Sequence, residues 1–109
     1  MLKQPKIRNK AHLRFVASLP CVVTGRPDVQ AAHIRRGTDG GMGMKPSDCY
    51  VVPLSVGAHA EQHRVGELDF WYPLGGYEKA IVLAKELYAH TGDRIKCMEL
   101  VARFRCGST

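Results

Sequence analysis

The chain's 109 residues are enough for one domain with a modest core and too few for two. With 45% hydrophobic and 24% charged residues, and no apolar run near the ~18 residues of a membrane span, composition argues against a disordered chain or a membrane-spanning helix. The formal charge of +6 is uneven: residues 1–47 carry nine Lys/Arg against two acids, and residues 48–109 seven against eight. A basic half of this kind suggests a polyanionic partner, and no membrane partner is expected.

Residues 1–9 read as an extended, mobile basic arm. "KAHLRFVASL" sets Leu13, Val16 and Ala17 at helical spacing, and Pro20 ends it. "CVVTG" and "VQAAHIR", split by the turn-like "RPD", read as a hairpin. "RGTDGGMGMKPSD" is a glycine-rich loop but no P-loop, since no G-K-[ST] closes it. Met42 and Met44 are expected to fill gaps beneath it. "CYVVPL" is extended, with Pro53 excluding a central strand. "VGAHAEQHRVG" is a short helix closed by Gly66. "ELDFWYPLGG" makes a helical turn broken at Pro73. "YEKAIVLAKELYAHTG" places Ile81, Ala84, Leu87 and Tyr88 on one stripe before the stop at Gly92. Asp93 then caps "DRIKCMELVARFR", whose expected buried face is Ile95, Met98, Val101 and Ala102. The expectation is one α+β domain over 1–109: an arm (1–9), a strand–loop–strand–helix core (20–65) and C-terminal helices (66–109). Four cysteines, Cys21, Cys49, Cys97 and Cys106, show no C-x-x-C spacing, and no signal-peptide pattern opens the chain. Reduced thiols and a cytoplasmic location follow as expectations.

Within the helix, "HAEQH" spaces His59 and His63 one turn apart, on one face, as a divalent-metal grip requires. It is not the zinc-protease motif. Glu61 lies about 200° round the helix from His59, and Gln62 occupies the acid position of the inverted form. A strand–loop–strand–helix arrangement brings His33, at a strand end, towards this pair.

Taken in order, "AAHIRRG", "GGMGMKPSD", "VVPL" and "HAEQHRVGELDFW" resemble the HNH (ββα-metal) endonucleases. The likeness is closest to phage and prophage proteins related to a phage recombination-enhancement nuclease, and it covers about residues 20–72. It implies a ββα-metal finger embedded among helices, DNA as substrate, a bacterial host cell and, as a further partner, a recombination protein. His33 would be the general base, and His59 and His63 would hold one divalent ion (Mg, Mn or Zn). The signature's central asparagine falls on Tyr50, which leaves Asp48 to orient His33 or assist the metal. Phosphodiester hydrolysis needs such parts: a base titrating near neutrality, and a cation where negative charge grows. Arg35, Arg36 and Lys45 beside the loop, with Lys10 and Arg14 on the first helix, are the expected phosphate contacts.

The sequence departs from the family pattern twice. Ala32 stands where many relatives carry a third metal ligand. Of the four positions that often bind a structural zinc, only Cys21 keeps its sulfur; Thr24, Ser55 and Ala58 hold the others, so no structural zinc is expected. Leu54, Val22 and Val23 would then knit the finger by packing. The reading is a metal-dependent DNA endonuclease or nickase. Its alternative is a non-catalytic DNA-binding module on a decayed HNH scaffold.

Overall fold

The computed structural model describes residues 6–40 and 44–107, an α+β arrangement of a two-stranded antiparallel sheet and five α-helices. Helix α1 (Lys10–Ala17) is followed by strands β1 (Val29–His33) and β2 (Val51–Ser55). Then come α2 (Val56–Val65), α3 (Glu67–Trp71), a 3-10 turn at Tyr72–Leu74, α4 (Tyr77–Ala89) and α5 (Arg94–Arg105). No helix of the described residues is long and apolar enough to cross a membrane.

The strands pair Val29 with Ser55 and His33 with Val51, so β1 meets β2 across the whole glycine loop. The expected hairpin of "CVVTG" with "VQAAHIR" does not form. Residues 21–25 are a turn, closed by Cys21 N–H to Arg26 O and Gly25 N–H to Cys21 O, each 3.0 Å, with Gly25 at φ +75°. Short, apolar runs cannot by themselves say which of two neighbours a strand will choose. Pro53 sits where its missing N–H does no harm. Ile34 N–H bonds Tyr50 O at 2.9 Å, which sets the antiparallel alternation and turns Pro53 away from β1. On that outer edge its carbonyl accepts Val22 N–H at 3.0 Å.

Side chains set the helix starts. Asn9 accepts His12 N–H at 3.0 Å, Ser55 accepts Ala58 N–H at 3.2 Å, and Asp93 accepts Lys96 N–H at 3.1 Å. Because Ser55 also ends β2, strand and helix α2 join without a loop, and the register of β2 fixes the rotation of α2. Gly66, at φ +89°, closes α2, and its N–H bonds Gln62 O at 2.8 Å.

Core residues come from both strands, α2, Trp71, α4 and α5. Three expected faces are adjusted. In α1 the buried residues are His12 and Val16; His12 is admitted because its Nδ1 lies 2.7 Å from the Thr91 hydroxyl and its ring meets Tyr88 edge-on. In α4 the buried side runs Ala80, Leu83, Ala84, Leu87, while Ile81 and Tyr88 flank it. In α5 it runs Cys97, Leu100, Val101, Phe104, leaving Ile95 83% and Met98 43% exposed. That helix is apolar on two sides, and Phe104 decides between them by packing edge-on to Trp71 at 6.1 Å. Met44 is 41% exposed and fills no gap; Met42 lies outside the described residues.

The basic arm is also revised. Residues 1–5 lie outside the described chain, but residues 6–9 dock along the loop that precedes β2. Ile7 N–H bonds the Ser47 hydroxyl at 2.8 Å, and Asp48 N–H bonds Ile7 O at 2.8 Å. Lys6 pairs with Asp39 at 3.8 Å. Backbone pairing of this kind holds a segment that its charge alone would leave in solvent.

Candidate active site

His33 ends β1, and the glycine loop returns Asp48 to its ring. Asp48 Oδ1 lies 2.9 Å from His33 Nε2. The carboxylate side chain is only 3% exposed, and it is satisfied on both oxygens: Asn9 N–H donates to Oδ2 at 2.7 Å, and the Arg8 guanidinium approaches Oδ1 at 3.4 Å. Burial would raise this carboxyl's pKa, but the Asn9 amide, the His33 ring and Arg8 together hold it below the ordinary value. An anion at Nε2 selects the neutral tautomer with hydrogen on Nε2, which leaves the Nδ1 lone pair free.

An open cleft of about 520 Å³ is lined by His33, Arg35, Arg36, Gln62, His63, Gly66 and Glu67. His33 enters from the strand and His63 from α2. His59 stands beside His63, their ring centroids 4.7 Å apart and their Nε2 atoms 3.2 Å apart. Burial, and then the neighbouring imidazoles of His63 and His33, push the His59 pKa down, so its ring is neutral near pH 7. The three histidines singled out in the sequence are thus neighbours. Glu61 points away and is engaged by Arg64 at 2.6 and 2.9 Å.

The pair fits a divalent cation on two counts. Two nitrogens bound to one ion at ~2.0–2.1 Å are roughly 2.8–3.0 Å apart in octahedral and roughly 3.3–3.4 Å apart in tetrahedral geometry, and the observed separation falls between the two. His59 Nδ1 also lies 2.7 Å from Gln30 Oε1, an acceptor that keeps the hydrogen on Nδ1 and leaves the Nε2 lone pair facing His63 Nε2. Among the described residues no group of three His, Cys, Asp or Glu side chains is placed to hold a metal. A bound ion would rest on His59, His63 and oxygens from solvent or substrate. Ala32, 1% exposed, faces the core from the same side of β1 as Gln30.

Of the expected phosphate contacts, Arg35 and Arg36 line the cleft. Arg36 also lies over the Tyr77 ring at 5.7 Å, and the Arg35 guanidinium donates to Met44 O at 3.4 Å. Lys45 is exposed on the loop; Lys10 and Arg14 are exposed on α1 and are not among the cleft's lining residues. The sequence reading missed Glu67. Its carboxylate accepts the backbone N–H groups of Arg35 and Arg36 at 2.7 Å each, tying α3 to the chain leaving β1. It also missed Gln30, Arg8 and Asn9, which carry no motif. Gln62 is buried against the cleft with an unpartnered Oε1.

The four zinc-type positions make contacts of their own. Val23 and Thr24 N–H groups each donate to Cys21 Sγ at 3.4 Å, and the Ser55 hydroxyl serves instead as the α2 cap. Burial pushes the Cys21 thiol up, but hydrogen bonds from Thr24, Ser55 and Val23 bring it below its ordinary value. Val22 and Leu54 are both buried beside it.

No curated protein and no solved structure matches the chain. A family model covers residues 1–70, which hold every candidate site residue: the chain belongs to the family described as "Protein of unknown function (DUF968)".

Proposed function

We propose that this chain is a metal-dependent DNA endonuclease or nickase with a ββα-metal (HNH-type) site. The observation that carries the reading is the pairing of His33 with the buried Asp48 at 2.9 Å, at the edge of the cleft that His63 also lines. Asp48 holds the His33 ring, and the free Nδ1 takes a proton from the attacking water. His59 and His63 would hold the divalent ion, which supplies positive charge at the scissile phosphate and the leaving oxygen. Arg35 and Arg36 place fixed positive charge at the same cleft, where a flanking phosphate would sit. With His59 and His63 as its protein ligands, the ion would complete its shell with solvent and substrate oxygens, as Mg²⁺, Mn²⁺ and Zn²⁺ each allow. A cytoplasmic role in phage or prophage DNA processing, alongside a recombination protein, accords with the family resemblance of the motifs.

Nicking of supercoiled plasmid with added Mg²⁺ or Mn²⁺ tests the reading. His33→Ala should abolish cleavage and leave DNA affinity nearly intact, because the imidazole serves chemistry while Lys/Arg contacts dominate binding. Equal rates for His33→Ala and wild type at saturating metal would remove His33 from the mechanism. Tight DNA binding by a wild-type protein that never nicks would instead favour the decayed, non-catalytic scaffold.

A further inference from the structure

The docked N-terminal segment makes contacts that packing alone does not require. Arg8 spends its guanidinium on backbone and carboxylate: one nitrogen donates to Lys45 O at 3.0 Å, and the other bonds Pro46 O and lies 3.4 Å from Asp48 Oδ1. The next residue gives its backbone N–H to Asp48 Oδ2 at 2.7 Å. Asp48 then reaches His33 at 2.9 Å. One chain of contacts therefore runs from residue 8 to the imidazole.

We propose that Arg8 and Asn9 form a positioning brace: they fix the Asp48 carboxylate and the 45–48 backbone so that His33 is held in one tautomer and one orientation. This rests on the reading of His33 as the general base. Neither residue touches the cleft, so both act through Asp48. The fork geometry of the guanidinium is what suits it to this role. A guanidinium can serve two carbonyls and a carboxylate from fixed directions, whereas a lysine ammonium is a single point charge on a flexible stem. A nearby misplacement of about 1 Å costs a base on the order of a hundredfold in rate.

The test compares wild type, Arg8→Ala and Arg8→Lys by plasmid nicking at saturating DNA, by DNA affinity across a salt series, and by ¹⁵N–¹H correlation of the His33 ring. That ring is identified by its absence in His33→Ala. Both Arg8 variants should nick about tenfold to a hundredfold more slowly at unchanged DNA affinity. Both should replace the single Nε2–H tautomer of His33 with a mixture. Arg8→Lys keeps the stem and charge and therefore covers the case in which Arg8→Ala fails to fold. Full activity in Arg8→Lys overturns the brace, since charge alone would then suffice. So does a rate loss recovered at lower salt or higher DNA concentration, which would make Arg8 a phosphate contact. An unchanged ring spectrum in the variants overturns it too. If the wild-type protein nicks no DNA, the nuclease reading fails by that assay, while the ring spectrum still decides whether Arg8 positions His33.

Discussion

Replacing Asp48 by asparagine exchanges one oxygen for an NH₂ group at constant shape, and the contacts dictate how the amide must sit. The Asn9 N–H, 2.7 Å from Oδ2, can only donate, so the remaining amide oxygen has to face it. The NH₂ group is then left against His33 Nε2, where the carboxylate oxygen was at 2.9 Å. Two donors cannot share that contact. His33 must move its hydrogen to Nδ1 and accept at Nε2, which removes the lone pair from the atom assigned as base. Losing a positioned base costs roughly 10²–10⁴ in rate, or about 3–5 kcal/mol of barrier. Turning both bonds of a carboxylate 3% exposed from charge-assisted to neutral should reduce stability by roughly 1–2 kcal/mol. The carboxyl is held below its ordinary value of 3.8, so its contribution to stability is fully present above 3.8 and is lost as pH falls from there through the folded-state value. Asp48→Asn should therefore nick DNA at least a hundredfold more slowly, bind it normally, and lose Asp48's share of the acid limb of its stability profile, with that of Asp39 remaining. Single-turnover nicking and thermal melts from pH 2 to 7, on the order of one melt per unit, check both parts. A rate within threefold or so of wild type, with His33→Ala inactive, would show that His33 needs no partner at Nε2.

Replacing His59 or His63 with alanine should weaken Mn²⁺ binding by roughly tenfold or more, while Glu61→Gln, engaged with Arg64 on the other side, should change it little. Calorimetric titration decides, and an equal loss in Glu61→Gln would mean that α2 is rotated from its described orientation. In wild type the affinity should decline with acid, and the His59 ring should give way later than an ordinary imidazole, because burial and its two imidazole neighbours depress its pKa and the ring must be neutral to bind. Ala32→Asp would set a carboxylate on the Gln30 side of β1; its burial should cost the metal-free protein about 3–5 kcal/mol, with Mn²⁺ restoring part of the melting temperature. A melt equally low with and without metal would show that residue 32 does not reach the ion. With Cys21 alone among the four zinc-type positions, melts in strong chelator should match those without it, and a large fall would reveal a structural metal site.

The spacing in "HAEQH" was legible because a helix translates four residues into one face, and Gly66 marked where that helix stops; the cap by Ser55 at its start appears only in the fold. His33 was legible from the order of motifs around it. The partner of β1 was not: "CVVTG" is nearer in sequence and equally β-like, and only the finished fold shows Val22 bonding the outer edge of Pro53 instead. Charge misled at the N-terminus, where Lys6 and Arg8 read as a solvated arm although their neighbours' backbone groups are paired. Glu67 carried no signal as a ligand of the Arg35 and Arg36 amides, since acceptance of backbone N–H groups from 31 and 32 residues away leaves no local pattern. In α5, two apolar stripes competed, and the choice depended on Trp71 in another element.

The candidate site lies wholly in the first 70 residues, whereas the core that carries it is shared with the rest of the chain. Everything assigned to chemistry lies within the family-matched residues 1–70, yet Trp71 and the inward faces of α4 and α5 supply more than half of the buried cluster. This division has an evolutionary consequence. Apart from Tyr77, on whose ring Arg36 lies, helices α4 and α5 are free to exchange residues that preserve volume and apolar character without touching a ligand or a base. Drift there would be tolerated up to the stability threshold, while the first 70 residues answer to the cleft as well as to the core.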